Sequence, residues 1–387
     1  MSGKKLDILL MGDNNLDTVG GEQESTKIII NGIKDKYSLG VIQPGRINKP
    51  KSDVIYFDLT KQTRIKHLVK TPLAFIRYIL DVKNIINTHK PTIIHTQAQV
   101  SFFIVALLKK FRLISKNIYL IHTERGFFTK YSRVFKYIFY YFMKDLNMLV
   151  TTTKLNMKHW RESLEEKGLH LNYTIIENTA GEIFEKFDQT LENKDEERIV
   201  IGFAGRYTEW KNWPLAVEIS ENLNNVIGNK LWVKMTVGCL DEKSLESTKQ
   251  MFEKLYEIFG DRFIGKINVD IEEMDKFYYD VDVFILTSNK NTESFGRTLV
   301  EAMSRKTIVL TTDAGGSVEV VDNKENVCSS SDEFVSRILE FYNNPQKMYN
   351  EKKQNLIRTK QKYSLENNIK KHLTLYKKIK KDSLEVE

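Results

Sequence analysis

The sequence predicts an α/β protein of two Rossmann-like, doubly wound domains. Its 387 residues are too many for one ordinary hydrophobic core. Two series of short apolar runs alternate with helical patterns, and a polar stretch from Glu192 to Arg198 separates them. This alternation is typical of parallel sheets with helices on both faces, so each series predicts one domain.

The first series predicts six strands and five helices. The strands are expected at Leu6–Met11, Ser38–Gln43, Val54–Phe57, Thr92–His95, Ile118–His122 and Met148–Thr151. The helices are expected at Glu24–Lys36, Pro72–Asn87, Val100–Phe111, Val134–Lys144 and Asn156–Lys167. This gives a first domain over residues 1–180.

The second series predicts a second domain over residues 181–364. Its strands are expected at Ile199–Ala204, Leu231–Val237, Arg262–Gly265, Val281–Leu286, Thr307–Thr311 and Asn326–Cys328. Its helices are expected at Trp213–Asn224, Leu245–Phe259, Ile271–Tyr279, Thr298–Ser304 and Ser331–Asn343. A basic helical tail begins at Leu365. Two such domains on a short linker predict a cleft between the carboxyl edges of both sheets.

The composition excludes several classes of protein. Two cysteines, Cys239 and Cys328, cannot form a disulfide framework, which favours a reducing compartment. No apolar run approaches the roughly 18 residues of a membrane span, and the first residues lack a signal-peptide pattern. We therefore expect a cytoplasmic protein, with peripheral attachment to the inner face of the membrane as a further hypothesis.

Positive charge is concentrated in residues 61–144. This segment has 16 Lys and Arg against two acids, which gives 16 − 2 = +14, so the rest of the chain sums to 8 − 14 = −6. Basic residues alternate with apolar ones at Leu68–Ile86 and Val134–Met143, as in helices that lie on anionic lipid. The alternative is that the apolar faces belong to the core and the charges are solvated. No nucleic-acid-binding motif accompanies the charge, so nucleic acid is not an expected partner.

The most informative segment runs from Glu293 to Glu301. It follows an apolar run and enters a helical pattern, so a polar loop leads from a strand to a helix N-terminus. Such a terminus binds anions. Two carboxylates there suit a polyhydroxylated ligand that also has phosphate.

A second cationic segment, Gly205 to Asn212, follows the strand at Ile199–Ala204. Arg206 and Lys211 are five residues apart and could bind a diphosphate between them. The alternative is solvated loop charge. A glycine pair also precedes a predicted helix at Asp313–Glu319, where a sugar or phosphate could bind; the alternative is a plain helix start with Ser317 as its cap.

The first domain offers weaker candidates. Gly20 and Gly21 follow the first strand and could allow positive φ and close approach to a ligand, although an ordinary turn is the alternative. His122 is expected at the end of a strand, next to a polar loop. No cysteine and histidine cluster has zinc spacing, and Asp280 and Asp282 precede a strand rather than follow one. We therefore expect no metal and no other cofactor.

Taken together and in order, these motifs resemble glycosyltransferase family 4, the retaining enzymes of the two-Rossmann GT-B type. The set comprises Gly20-Gly21, His122, Gly205-Arg206, Lys211, Glu293, Glu301 and Gly315-Gly316 with Glu319. The resemblance covers nearly the whole chain and is strongest from Ile199 to Val321. Two positions depart from the pattern: Asn178-Thr179 replaces a linker Asn-Gly, and Gln97 replaces a histidine.

The resemblance implies roles in donor binding. Glu301 would bind the ribose hydroxyls, and Arg206 and Lys211 would stabilise charge on the leaving nucleoside diphosphate. Lys266, expected in the loop after a strand, would lie where such enzymes hold the base. Gly20 and Gly21 would let the first domain close over the diphosphate.

The resemblance also implies contacts with the transferred sugar. Glu293 would lie beside it, and His122 would contact the sugar or the reacting centre. The backbone of Ser294, Phe295 and Gly296 would contact sugar and phosphate. The tail, residues 365–387, would pack back on the first domain, which would bind the acceptor.

The implied activity is transfer of a sugar from a nucleoside-diphosphate sugar, most simply a UDP-sugar, to a polysaccharide, cell-wall or lipid-linked acceptor. A hexosyltransferase is the leading hypothesis. A GT-B-type sugar-nucleotide epimerase, a phosphorylase and a non-catalytic nucleotide-sugar-binding subunit are the alternatives. The sequence names neither the sugar nor the linkage.

Overall fold

The chain folds into two compact units, each built on one parallel sheet. The computed structural model describes residues 4–18, 20–46, 53–192 and 197–384, with side chains to residue 381. The first unit comprises Met1–Glu177 with Glu366–Glu387, and the second comprises Asn178–Leu365.

The first unit has a seven-stranded sheet in the order β3-β2-β1-β4-β5-β6-β7. The strands are β1 (Ile8–Met11), β2 (Leu39–Gln43), β3 (Ile55–Asp58), β4 (Ile93–Thr96), β5 (Tyr119–Glu124), β6 (Met148–Thr151) and β7 (Asn172–Ile175). Every neighbouring pair is parallel. The strand order reverses direction at β1, so the carboxyl ends of β1 and β4 border a topological switch point.

Helices cover both faces of this sheet. They are α1 (Gly21–Ile33), α2 (Ile65–Val69), α3 (Pro72–His89), α4 (Gln99–Lys110), α5 (Arg133–Met143) and α6 (Lys154–Glu165). Buried side chains of α2 to α6, among them Val82, Phe102, Phe139 and Trp160, form one apolar cluster on one face. Those helices therefore lie on the same side of the sheet.

The C-terminal helix completes the opposite face of the first unit. This helix, α14, spans Leu365–Leu384. Its side chains Leu375, Tyr376 and Ile379 pack in one apolar cluster with residues of α1. Gly32 of α1 allows this contact, because a Cβ there would lie 2.6 Å from Cγ1 of Ile369. The tail of the sequence is therefore part of the first unit's core.

The second unit has a five-stranded parallel sheet. Its strands, in the order β10-β9-β8-β11-β12, are β8 (Ile199–Arg206), β9 (Leu231–Gly238), β10 (Phe263–Ile267), β11 (Val283–Leu286) and β12 (Ile308–Thr311). Its helices are α7 (Trp213–Ile227), α8 (Glu242–Phe259), α9 (Ile271–Tyr279), α10 (Arg297–Ser304), α11 (Gly316–Val321), α12 (Ser331–Tyr342) and α13 (Pro345–Lys362). β8, β11 and β12 are almost wholly buried, as expected for a sheet with helices on both faces, whereas β9 and the edge strand β10 are only partly buried.

Most predicted elements are present within two or three residues of the expected bounds, but four differ. Asn326–Cys328 is not a strand; only a single bridge joins Val327 to Thr311. β7 was not predicted because its residues are polar and only partly buried at the sheet edge. The helices α2 and α13 were also missed. α13 is polar almost all round and buries only Asn355 and Thr359, so its sequence lacks an apolar stripe.

Among the described helices, none is both long enough and apolar enough to cross a bilayer.

Candidate functional site

In the second unit, two loops meet at the carboxyl edge of the sheet. One follows β8 and contains a 3₁₀ turn at Glu209–Lys211, and the other leads from β11 to α10. The Thr287 hydroxyl donates to the Lys211 carbonyl at 2.8 Å, and the Asn289 amide donates to the Trp210 carbonyl at 2.7 Å. β8 and β11 are neighbours in the sheet, so these bonds fix the two loops to each other.

The two loops bring Lys211 and Glu293 together. Lys211 Nζ lies 2.8 Å from Glu293 Oε1, and the Ser288 hydroxyl donates to the same oxygen at 2.8 Å. Gly205 leaves room for the lysine, because a Cβ there would lie 3.3 Å from Lys211 Cε. Both charged side chains remain about one-sixth exposed, at 16% and 17%. The pair is thus oriented and still accessible to a ligand.

The loop after β12 lies beside Glu293. The Glu293 amide donates to the Ala314 carbonyl at 2.8 Å, and the Gly316 amide donates to the Glu293 carbonyl at 2.8 Å. The loop after β12 is therefore bonded to the loop that contains Glu293. The alternative prediction of Ser317 as a helix cap is wrong, because α11 begins at Gly316 and the Ser317 hydroxyl is buried, 3.1 Å from Thr311 Oγ1.

The N-terminus of α10 lies directly after Glu293. Gly296 precedes the helix with φ of 90°, and a Cβ there would lie 2.9 Å from Leu299 Cδ1, so the tight turn favours glycine. The Phe295 ring is buried against Tyr363, with ring centroids 5.6 Å apart. The Phe295 ring therefore cannot reach a ligand at the helix N-terminus, where the backbone of this segment and the partly exposed Ser294 lie.

Glu301 is buried inside α10 and has two partners. The Tyr278 hydroxyl donates to Oε2 at 2.8 Å, and Arg297 Nε lies 3.1 Å from Oε1. Burial raises the pKa of Glu301, while the charge of Arg297, the bond from Tyr278 and the charge of Lys211 act in the opposite direction. A carboxylate has about four acceptor positions, so both oxygens keep capacity for a further donor.

Arg206 is the last residue of β8 and is exposed. Its Cγ lies over Gly238 at the end of β9, whereas Lys211 turns toward the loop after β11. Within the described part of the chain, its guanidinium has no carboxylate partner. The two side chains predicted to bind a diphosphate therefore extend to different sides of the end of β8. Only Lys211 forms an ion pair with Glu293.

Lys266 does not lie in the predicted loop. β10 extends to Ile267, because Lys266 pairs in register with Thr236 of β9. The Lys266 side chain is half exposed and lies 2.8 Å from Glu273 Oε1. Its position in the edge strand corrects the prediction of a loop residue.

The predicted position of His122 is also wrong. β5 continues to Glu124, so His122 lies inside the strand and is fully buried. Its Nδ1 lies 3.0 Å from Thr96 Oγ1, its Nε2 lies 3.4 Å from Glu124 Oε2, and its ring stacks on Phe102. Both ring nitrogens are occupied by neighbours on the α4 and α5 side of the sheet.

Neither glycine of the pair has a left-handed backbone. Gly20 is extended, with φ of 167°, and Gly21 is the first residue of α1. A Cβ on Gly21 would meet nothing within 4 Å, so the space beside it is open. Close approach of a ligand remains possible on steric grounds, but the predicted left-handed backbone is absent at both positions.

Sequence reasoning missed several residues that shape these sites. In the second unit they are Ser288, Tyr278 and Arg297; in the first, Asp13 and Glu22 occupy the carboxyl edge of the sheet. The spacing of Arg297 and Glu301, four residues apart on one helix, was a signal for an ion pair. Tyr278 gave no signal, because only tertiary packing brings it to Glu301.

No group of three or more His, Cys, Asp or Glu side chains suited to a metal ion occurs in the residues that the structure describes. The expectation of metal independence stays a prediction.

Comparisons with known proteins show sequence similarity to glycosyltransferases, mainly in the second unit. Residues 184–363 match the family model described as glycosyl transferases group 1. The capsular polysaccharide biosynthesis glycosyltransferase CapM of Staphylococcus aureus is 26% identical over 221 residues, which cover 53% of this chain and 55% of that protein. The chain thus spans little more than half the length of this curated relative.

Solved structures resemble the chain over nearly its whole length. Sucrose-phosphate synthase from Thermosynechococcus elongatus matches with a TM-score of 0.77 at 14% identity, covering 96% of this chain and 98% of that one. A glycosyltransferase from Rickettsia africae gives 0.75 at 17%, covering 97% and 98%. HepE from Anabaena, solved with UDP, gives 0.73 at 14%, covering 96% and 100%.

These matches confirm the predicted fold class, an α/β protein with two doubly wound Rossmann-like domains of the GT-B type. The match to the glycosyl transferases group 1 model lies within the second unit. Membership of family 4 in particular stays a prediction.

The buried Glu301 predicts a pH-dependent effect on stability. Because its pKa is raised in the folded protein, the folded state keeps that proton to higher pH than the unfolded chain. The resulting stability is present below the unfolded pKa and is lost as pH rises through the folded pKa. Glu301→Gln removes this loss. Its free energy of unfolding relative to wild type should therefore rise between about pH 4.5 and about pH 7.5.

Urea denaturation at the two pH values measures this difference. The unpaired Arg297 in the variant adds a cost that does not change over this range, since an arginine stays charged throughout. Glu273→Gln, an exposed partner of Lys266, is the matched control and should show little change. A relative stability of Glu301→Gln that is flat or falls with pH contradicts the assignment.

Proposed function

We propose that the chain is a retaining glycosyltransferase that moves a sugar from a nucleoside-diphosphate sugar, most simply a UDP-sugar, to a polysaccharide, cell-wall or lipid-linked acceptor. The observation that supports this most directly is the Lys211–Glu293 pair beside the N-terminus of α10. The match to glycosyl transferases group 1 covers the same region. The second unit would bind the donor, and the first would bind the acceptor.

The leaving nucleoside diphosphate needs positive charge as the glycosidic bond breaks. Lys211, the exposed Arg206 and the backbone amides at the start of α10, which no side chain caps, can supply it without a metal ion. Lys211 is already held in place by Glu293, so little reorganisation is needed when the diphosphate binds. In this proposal the donor is bound by protein cations alone, which agrees with the expected independence from metal.

Glu293 and Glu301 have separate duties in the proposed mechanism. Glu293 is the accessible carboxylate and would lie beside the donor sugar, oriented by Lys211 and Ser288. Glu301 is deeper and would accept from the ribose hydroxyls, oriented by Tyr278 and Arg297. The backbone of Ser294, Phe295 and Gly296 would donate to sugar and phosphate. Retention of anomeric configuration rests on the resemblance to family 4.

Lys266 and His122 enter this proposal in reduced form. Lys266 would contribute to the base site through its backbone, since its side chain is paired with Glu273. His122 would act on the sugar only through Glu124, because its own ring is enclosed by Phe102 and its strand neighbours. The open space beside Gly21 would admit a ligand at the edge of the first unit.

Removing the donor-site charges tests the proposal. We expect Lys211→Ala to lower turnover by about 10²–10³-fold, the usual cost of losing one charge-stabilising group. Glu301→Ala should weaken donor binding, since the ribose loses its acceptor. Calorimetric titration with UDP and transfer assays with UDP-, GDP- and ADP-sugars measure both effects. Lys254→Ala, which removes an exposed ion pair on α8, is the matched control.

Wild-type transfer by both variants would remove the site assignment. Analysis of products with and without acceptor separates the alternatives: an epimerase converts the donor alone, and a phosphorylase releases a sugar phosphate. Tight nucleotide binding without any turnover would indicate a non-catalytic subunit.

We also propose that the first unit attaches to an anionic membrane surface. On the exposed side of α3, Leu73, Ile76 and Leu80 are 82%, 52% and 48% exposed, with Arg77 between them. On α5, Val134 and Tyr137 are more than 70% exposed. The sequence left open whether the apolar residues of these two helices belong to the core. The five named here lie on the surface.

This membrane-facing surface, formed by α3 and α5, lies on one side of the sheet. Both helices bury their other faces in the same apolar cluster as α4. Lys70 precedes α3 and Lys83 lies within it, while Arg133 begins α5 and Lys144 follows its last residue. Exposed apolar side chains among cations suit lipid with acidic headgroups, which is the occupant that this charge selects.

Charge reversal at Lys70 and Arg77 should release the protein from vesicles. Each basic residue contributes about 1 kcal/mol near an anionic surface, so the loss of two weakens binding by roughly thirtyfold or more. Co-sedimentation with phosphatidylglycerol vesicles, at low and high salt, measures this. Lys243→Glu with Lys249→Glu on α8 is the control pair. Binding that is absent in wild type, or unchanged by the reversal, contradicts the proposal.

A further inference from the structure

The carboxyl edge of the first sheet contains a half-buried cation, Arg125, that no described carboxylate pairs with directly. Arg125 follows β5, and its Nη1 and Nη2 donate to the carbonyl and the side-chain Oε1 of Gln97 at 2.7 and 2.8 Å. Its Nε is buried and has no partner among the described residues. No carboxylate of those residues lies within ion-pair distance of this guanidinium.

Gln97 presents a second unused donor at the same place. Gln97 is 1% exposed. It comes directly after β4, and its backbone N–H donates to the Met11 carbonyl at 2.8 Å. A guanidinium can only donate, so the amide oxygen must face Arg125 and Nε2 must point elsewhere. Within the described part of the chain, that Nε2 is buried without an acceptor. A buried donor without an acceptor destabilises the folded protein, and here there are two such donors.

The surroundings keep Arg125 charged but do not pair it. Burial lowers the pKa of Arg125 to about 10, and the charges of Glu22 and Glu124 oppose the shift. Both carboxylates have closer partners: Glu22 accepts from the Asp13 amide at 2.8 Å, and Glu124 accepts from Tyr131 at 2.8 Å. Arg125 therefore carries its full charge at neutral pH, with acids near it but not bonded to it.

The other side chains near Arg125 are neutral donors or acceptors. Burial lowers the pKa of His372 to about 4 and that of His95 well below its ordinary value, and Arg125 adds to both shifts. His95 is bonded at 2.6 Å to both Tyr376 and Thr123. Neither histidine therefore adds a positive charge, and an incoming ligand would meet the guanidinium and the side-chain amide of Gln97.

From this geometry we infer that Arg125 and Gln97 form a binding site for an oxyanion, either a phosphate or a carboxylate, of the acceptor. A guanidinium pairs with two oxygens of such a group in one plane, and the Gln97 amide adds a third donor. Position supports this: the pair follows β4 and β5, next to the switch point between β1 and β4 where ligands of such sheets bind. The assignment of the oxyanion to the acceptor rests on the proposed function, whereas the anion-binding site itself does not.

The test observes the Arg125 side chain itself. The Nε–H resonance of Arg125, assigned by its loss in Arg125→Lys, is followed by ¹⁵N–¹H NMR while sodium phosphate, sodium acetate or sodium chloride is added at matched ionic strength. We expect a saturable shift with phosphate, acetate or both, and none with chloride. Phosphate alone indicates a phosphorylated acceptor, and acetate alone indicates an acidic sugar.

Two variants separate this inference from its alternatives. Arg125→Gln should weaken anion binding by about tenfold or more, whereas Arg112→Gln, an exposed arginine of the same unit, should not. Thermal unfolding with the same salts follows both. UDP binding should survive in Arg125→Gln and be lost in Lys211→Ala, so failure of the donor site would be visible separately. A resonance that moves with no anion, or equally with chloride, overturns the oxyanion site and leaves ordered water as the partner.

Discussion

The Lys211–Glu293 ion pair is the interaction on which the proposed donor site depends. It forms only because β8 and β11 are neighbours and their loops are bonded to each other. The glycine at 205 gives the lysine its room, and Ser288 fixes the carboxylate that receives it. Both groups are partly exposed, so a ligand can reach the pair. A diphosphate could displace or share this lysine at small cost.

The parallel sheet explains why so much of the fold was predictable. Buried strands such as β8 and β12 are continuous apolar runs between polar loops, and that pattern needs no knowledge of tertiary contacts. The elements that were missed lack the pattern. β7 is polar at a sheet edge, and α13 buries polar side chains in place of an apolar stripe.

The site was predictable in its strongest segment and less so elsewhere. Glu293 and Lys211 lie in loops that follow strands, so topology alone brings them to one edge. The position of Lys266 could not be predicted in this way. β10 extends two residues beyond its predicted end, so Lys266 lies in the strand and not in the loop that follows it. His122 shows the same limit: β5 extends two residues beyond it and buries the ring. Partners such as Tyr278, which approach from another helix, leave no local signal.

The carboxyl edges of the two sheets differ in how their cationic side chains are paired. In the second unit the cation is paired and accessible, which suits a ligand that arrives and leaves. In the first unit Arg125 is held by an amide and has unused donors, which suits a ligand that supplies its own negative charge. Both arrangements follow from polar residues placed just after buried strands, and both are consistent with substrates that contain phosphate or acidic sugars.

A crystal structure with UDP bound tests the central claim most directly. The account predicts a diphosphate at the N-terminus of α10, with Lys211 Nζ within hydrogen-bond distance of a phosphate oxygen and the ribose hydroxyls on Glu301. A nucleotide bound elsewhere in the second unit, with Lys211 still paired only to Glu293, would contradict it.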